Sequence, residues 1–156
     1  MPDRISIRQA SSEDRDFVTG MVPSLLASTS PAWHNTELLA PEFREVLAHA
    51  INHQSRRSTV LIAEAADATP LGFISLKVHK DAAGVERAHV ADLAVTDSAR
   101  RTRVGTALMN AAESWARDLG MGLLSLDVWS TNENAFAFYR RLGYSAESVC
   151  LIKWLD

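Results

Sequence analysis

The sequence predicts an α+β (mixed α/β) fold: a central mixed β-sheet flanked by helices, in the order β-α-α-β-β-β-α-β-α-β. Three observations carry this expectation. Short runs of β-branched and aliphatic residues alternate with longer stretches whose apolar residues recur every three or four positions. A strand-helix-strand succession near the C-terminal end calls for a parallel pair joined by a crossover. The length, 156 residues with 47% hydrophobic, suits one core between a sheet and its covering helices, so residues 1–156 are expected to form a single domain.

The elements follow in order. Residues 4–8 alternate in character and predict a first strand. Phe17, Val18, Met21, Val22, Leu25 and Leu26 share one helical face, which predicts a helix over residues 14–28 with Ser12 as its N-cap. Pro23 is placed to kink or divide it. Residues 28–41 are loop-like. A second helix is expected to start at Pro41, a residue suited to the first helical position, with Phe43, Val46, Leu47, Ala50 and Ile51 as its stripe. Residues 59–65 and 71–78 are strand-like, and the turn residues 67–70 between them predict a hairpin. Residues 81–84 form the next turn and 89–95 a fourth strand. Val104, Ala107, Leu108, Ala111, Ala112, Trp115 and Leu119 then make the strongest helix in the chain, closed by Gly120. Residues 123–128 predict a fifth strand, 134–142 a short helix ended by Gly143, and 144–154 a last strand.

Composition excludes several classes. The net charge of −3 offers no broad basic face, so nucleic acid is not an expected partner. No apolar run approaches the ~20 residues a membrane-spanning helix needs, and the start of the chain lacks a secretory signal core. Together with the single cysteine, Cys150, these features predict a cytoplasmic protein that neither meets a membrane nor carries an internal disulfide.

Arg100, Arg101 and Arg103 crowd the start of the long helix. The first turn of a helix exposes unpaired N–H groups and partial positive charge, so each exposed cation there costs roughly 0.3–1 kcal/mol. Such a cluster makes sense where an anion sits, because N–H groups, dipole and arginine together form a phosphate site. Gly105 lets backbone approach a ligand closely. The plainer alternative is a solvated cluster paired with Asp97 or other acids.

The stretch Leu93-Ala94-Val95, followed by Arg100-Arg101-Thr102-Arg103-Val104-Gly105-Thr106-Ala107-Leu108, resembles the acetyl-CoA signature of GNAT-superfamily N-acetyltransferases: Gln or Arg, two residues, Gly, one residue, then Gly or Ala, at a strand-to-helix junction. Downstream, Asn132 through Ala135 to Tyr139, and then Gly143-Tyr144, resembles a second motif of the family. The strong resemblance covers about residues 90–145, and the whole chain matches the family's element order. One residue departs: Arg103 stands where the family has its first glycine. A side chain there either crowds the pyrophosphate or swings out to bind it.

The resemblance implies that backbone groups of Leu93, Ala94 and Val95 pair with a pantetheine arm like an added strand, one N–H polarising the thioester carbonyl. It implies that Arg100 matches the signature's leading residue and that N–H groups of Arg101, Thr102, Arg103, Val104, Gly105 and Thr106 hold the pyrophosphate. Asn132 would bond the pantetheine arm or cap the next helix, with Ala135 beside it in the motif, and Tyr139 would protonate the leaving thiolate. The implied function is transfer of the acetyl group of acetyl-CoA to a primary amine of a small molecule or of a peptide or protein N-terminus, by direct attack in a ternary complex. No metal is implied, and a homodimer is compatible with the family. The alternative function is a non-catalytic acyl-CoA-binding regulatory domain.

Amine acetylation needs a neutral amine, a donor for the developing oxyanion and an acid for the thiolate. Tyrosine keeps its proton at neutral pH and suits the acid role. Two carboxylates compete for the base. Asp127 lies five residues before Asn132, at the place where ribosomal-protein N-terminal acetyltransferases carry a glutamate. Asp92 lies on the fourth strand, beside the expected thioester. His89 is a third candidate. His49 and His53 are four apart on a helix but lack the further ligands of a metal site, and a solvated face is expected. Cys150 sits in an apolar run and is expected to be a buried strand thiol. Trp33 and His34 belong to the early loop, where the family shapes its acceptor pocket. They serve either as an aromatic wall that, with Glu37, attracts a cationic amine, or as an anchor for the loop.

Overall fold

A computed structural model describes residues 4–27 and 30–155. Five strands form one sheet in the order β1 (Ser6–Gln9), β2 (Ser58–Glu64), β3 (Pro70–Lys80), β4 (Glu86–Val95) and β5 (Leu124–Leu126). The first four are antiparallel neighbours, and β5 runs parallel to β4, as the strand-helix-strand order requires. Helices α1 (Arg15–Gly20), α2 (Val22–Ala27) and α3 (Thr36–Asn52) cover one face, where Val18, Val22, Leu47 and Ile51 pack on Val60, Ile62 and Phe73. Helices α4 (Val104–Asp118) and α5 (Glu133–Arg141) cover the other, where Val104, Leu108 and Met109 pack on Ile74, Leu76 and Val90. A fully buried side chain of this size contributes about 1.5–3 kcal/mol, so the two apolar layers hold the sheet between them.

The predicted elements hold with shifted ends. The first strand spans residues 6–9 rather than 4–8, and the fourth begins at Glu86. The expected helix over 14–28 is divided at Met21, because Pro23 has no N–H to offer the Thr19 carbonyl; residue 28 lies outside the described residues. Ser11, not Ser12, precedes the opening turn, where its N–H donates to Asp14 Oδ2 (2.8 Å). Asp14 also accepts two bonds from Arg8 (2.7 and 2.8 Å), which ties that turn to β1. The second helix starts five residues before Pro41. Asn35 caps it by accepting from the N–H groups of Glu37 and Leu38, and Pro41 sits inside the helix. A strong side-chain cap outweighed the preference of proline for the first position.

Two expectations fail at the C-terminal end. Residues 144–154 form no strand; Val149 and Leu151 are exposed, and so is Cys150, which is not a buried strand thiol. The fifth strand is only three residues long, so it offers little edge for another strand to join.

Within β4 the pairing with β3 slips. Asp92 faces Ser75, but Val90 faces Leu76, so Ala91 is one extra residue. Such a bulge reverses the alternation of side chains beyond it. Val90 points to the α4 layer before the bulge, and Leu93 and Val95 do so after it. His89, Asp92 and Ala94 consequently share the opposite face, the one covered by α1–α3. The β4–β5 ladder covers only Ala88–Val90 against Leu124–Leu126. From Ala91 onward β4 has no strand paired on its β5 side among the described residues, and this unpaired edge of β4 beyond the end of β5 is termed the slot.

Gly72, on β3, backs the end of β4 on the side away from β5. A Cβ there would stand 2.6 Å from the Ala94 carbonyl oxygen and 3.2 Å from Val95 Cα. Gly72→Ala is expected to push β3 away from the end of β4. It should lower the thermal midpoint by roughly 4–8 °C, as an overpacked core position does, and differential scanning calorimetry reads the change.

Candidate active site

The slot is flanked by the residues the sequence singles out. Leu93, Ala94 and Val95 form its β4 wall, with backbone groups on the β5 side paired to no strand among the described residues. Immediately beyond, a turn delivers the chain to α4. Arg101 and Arg103 both have left-handed φ angles there, +63° and +70°. Each costs a residue with a Cβ roughly 1–2 kcal/mol. Arg103 thus holds the backbone shape that glycine adopts freely, and the departure from the family signature leaves the turn's conformation glycine-like. The first backbone bond of α4 runs from Ala107 N–H to the Arg103 carbonyl (2.9 Å). The N–H groups of residues 101–106 have no backbone acceptor among the described residues. Six successive free donors at a helix start, shaped by left-handed residues, are the kind of backbone arrangement to which anions bind in proteins.

The arginine side chains surround this turn without filling it. Arg100 pairs with Asp97 (3.0 Å), as the plainer alternative for the cluster anticipated, and all three arginines are exposed. Thr102 donates its hydroxyl to the Ala99 carbonyl, and Val104 is buried. Gly105 has a reason beyond ligand approach: a Cβ there would press on the Phe138 ring at 3.3 Å, so this glycine lets α5 close against α4. The sequence alone did not single out Gly72 or Phe138. Their signal is steric and appears only when the strands and helices are brought together.

Across the slot, Asn132 caps α5 by accepting from Ala135 N–H (3.1 Å). This is the second of its two anticipated uses, and it occupies both residues locally. Tyr139 stands on α5 in the α4 layer, edge-on to Phe138 and Tyr144. Its hydroxyl has no partner among the described residues and borders a cleft of about 750 Å³ that also touches His89, Ser125 and Asp127. Burial pushes its pKa up to about 12. Tyr144 is committed elsewhere, donating to Glu113 Oε1 (3.1 Å), and burial raises it as well.

The carboxylates differ sharply. Asp92 is half-buried on the α1–α3 face, without a hydrogen bond or ion pair among the described residues, and burial raises its pKa against a smaller opposing pull from Lys77. Asp127 is almost fully exposed, and its nearest partner is His89 Nε2 at 3.6 Å. His89 in turn lies 2.8 Å from Ser125 Oγ through Nδ1. Burial lowers the pKa of His89 more than Asp127 raises it, so the imidazole is neutral near pH 7. The structure therefore joins Asp127 and His89 and leaves Asp92 apart. His49 and His53 stack on each other at 3.9 Å, and no metal-holding cluster occurs among the described residues.

Among known proteins, the family described as Acetyltransferase (GNAT) family matches residues 22–144. The chain is 37% identical over 94 residues to an aminoglycoside N(6')-acetyltransferase type 1 of Klebsiella aerogenes, covering 58% of this chain and 62% of that protein. It is 32% identical over 92 residues to a streptothricin acetyltransferase of Streptomyces lavendulae, covering 53% and 49%. The matched stretches thus span about half to three fifths of those relatives. In fold it is similar to the PaiA N-acetyltransferase of Thermoplasma acidophilum solved with coenzyme A: TM-score 0.78, 24% identity, 94% of this chain and 93% of that one.

The chain contains two tyrosines, both buried enough to resist ionisation. Because burial penalises the tyrosinate, alkaline titration followed by ultraviolet absorbance is expected to leave both phenolic at pH 11. A solvent-exposed tyrosine would be about 90% ionised there. A midpoint near 10 would contradict the packing described for Tyr139.

Proposed function

The chain belongs to the acetyltransferase (GNAT) family, and from that premise we propose that it transfers the acetyl group of acetyl-CoA to a primary amine of a small molecule or of a peptide or protein N-terminus, by direct attack in a ternary complex. One observation carries the reading. The slot beside β4 leads at one end to a turn of free N–H groups, with a half-buried carboxylate on one sheet face and, on the other, a tyrosine without a hydrogen-bond partner among the described residues. The relatives named for acetylating aminoglycosides and streptothricin support an amine as acceptor.

The donor residues fit acetyl-CoA. The pyrophosphate would lie on the N–H groups of residues 101–106, with Arg100, Arg101 and Arg103 adding charge from the surface. The pantetheine arm would lie along Leu93, Ala94 and Val95 as an added strand, and an N–H of this segment would face the thioester oxygen and stabilise the charge that develops there. The amine arrives from the α1–α3 face. Its nitrogen attacks the thioester carbon, the C–N bond forms and the C–S bond breaks. Asp92 accepts the proton released by the amine; its raised pKa suits it as a base better than the freely solvated Asp127. Tyr139, on the far face, gives its proton to the departing thiolate and recovers one from solvent. Base and acid are thereby separated by the sheet itself.

Tyr139→Phe should lower kcat roughly 100-fold while acetyl-CoA affinity stays within about threefold. In the parent enzyme, kcat is expected to rise with pH through a midpoint above the ordinary aspartate value near 4, because burial disfavours the carboxylate that serves as base. Asp92→Asn should abolish that limb and most of the turnover. An unchanged profile would remove Asp92 from the mechanism. Arg103→Gly keeps the backbone donors, so acetyl-CoA affinity measured by calorimetry should fall less than about threefold, and the thermal midpoint should move by less than about 3 °C, since relief of the left-handed strain offsets the added freedom of glycine. A loss above about tenfold would make the Arg103 side chain, and not the backbone, the anion's main partner.

A further inference from the structure

Four aromatic rings from three separate segments meet on the surface. Trp33 and His34 come from the turn before α3, Trp129 from the chain leaving β5, and Trp154 from the C-terminal segment. Trp33 lies 6.3 Å from Trp154 at 86° and 6.4 Å from His34 at 89°, and His34 lies 4.9 Å from Trp129 at 85°. The three tryptophans are 45%, 45% and 71% exposed. Folding normally buries such rings, and a cluster left in water marks a binding surface. Flat stacked rings would make a platform for planar or sugar-like faces. Successive right angles instead make corners, in which the edge of one ring meets the face of the next and the outer faces stay open to solvent. A compact cation is the group such corners hold best.

The flanking charge agrees. Residues 30–38 and 127–134 contain no lysine or arginine, and they supply Glu37, Asp127 and Glu133. Lys153, beside Trp154, is the nearest cation along the chain and is exposed. Trp129 follows Asp127 in the chain just beyond β5, and both Ser125 of β5 and Asp127 lie against His89, on the sheet face that also carries Asp92.

We propose that Trp33, His34, Trp129 and Trp154 form an aromatic cage for a protonated amine of the acceptor, a second nitrogen distinct from the one acetylated. This rests on the acetyl-transfer reading above. The attacked nitrogen must be neutral, whereas the cage selects a positive charge, so one nitrogen cannot satisfy both. The acceptor class is therefore a small molecule carrying at least two amino groups, one held charged in the cage while another reaches the slot.

Tetramethylammonium, which cannot be acetylated, probes the cage alone. Three of the four tryptophans lie in the cage, so intrinsic fluorescence should change saturably with tetramethylammonium chloride and not with sodium chloride at equal ionic strength. The change should vanish in Trp33→Ala and in Trp154→Ala, the latter on an exposed segment whose substitution spares the core. In turnover, 1,4-diaminobutane and 1,8-diaminooctane are compared with butylamine and octylamine. At least one diamine should exceed its monoamine in kcat/KM by roughly tenfold, and Trp154→Ala should raise the diamine KM by a similar factor with kcat and the acetyl-CoA KM unchanged. Absence of a saturable response, its persistence in both variants, or equal turnover of diamines and monoamines would overturn the cage. Failure of acetyl-CoA to bind would instead overturn the acetyl-transfer reading, and the tetramethylammonium titration would still decide the cage.

Discussion

One extra residue in β4 organises the site. Ala91 has no partner in β3, and its insertion matters in two ways. It re-aims the strand's side chains, bringing His89 and Asp92 to one face while Leu93 and Val95 join the α4 layer. It also falls just where the β4–β5 ladder ends, at Val90 and Leu126. A regular strand would have continued the parallel ladder, sealed the slot and turned Asp92 into the apolar layer around Leu108. Gly72 makes the arrangement possible from behind, because only a residue without a Cβ lets β3 follow β4 that closely.

The second constraint is the turn into α4. Helix starts lack acceptors for their first N–H groups, and here the deficit extends back to residue 101. Left-handed backbone at Arg101 and Arg103, with three exposed cations around it, is an unfavourable local choice in an isolated chain. Such a choice persists where the surrounding structure fixes it and a bound anion offsets it. Slot and turn are continuous along the chain, so an extended ligand with a charged middle and an uncharged arm matches both at once. Placing the proposed base and acid on opposite sheet faces gives the amine and the thiol separate routes to the reaction centre.

Much of this was legible in the sequence, for identifiable reasons. The apolar stripe from Val104 to Leu119 and the hairpin around residues 67–70 are local patterns, and local patterns survive folding. The arginine cluster drew attention to the turn before α4 because its charge contradicts the helix dipole, and that turn is where the free N–H groups of residues 101–106 lie. The early start of α3 was missed because Pro41 is a conspicuous start signal, while Asn35 reveals itself only through the bonds its side chain makes. The last strand was expected from the apolar run Val149-Cys150-Leu151-Ile152, yet a strand needs an edge to pair with, and β5 offers three residues. The bulge at Ala91, the Gly72 contact and the meeting of Trp33 with Trp154 depend on residues distant in sequence, and no window along the chain contains them.

The central claim is that the open edge of β4 and the turn after it form one continuous binding track. Amide hydrogen exchange, resolved by residue with and without acetyl-CoA, tests it directly. The account predicts slowed exchange at backbone amides within residues 92–95 and throughout 101–106, with β2 and the far half of α3 unchanged. Saturating acetyl-CoA that leaves both segments exchanging as in the free protein would contradict it.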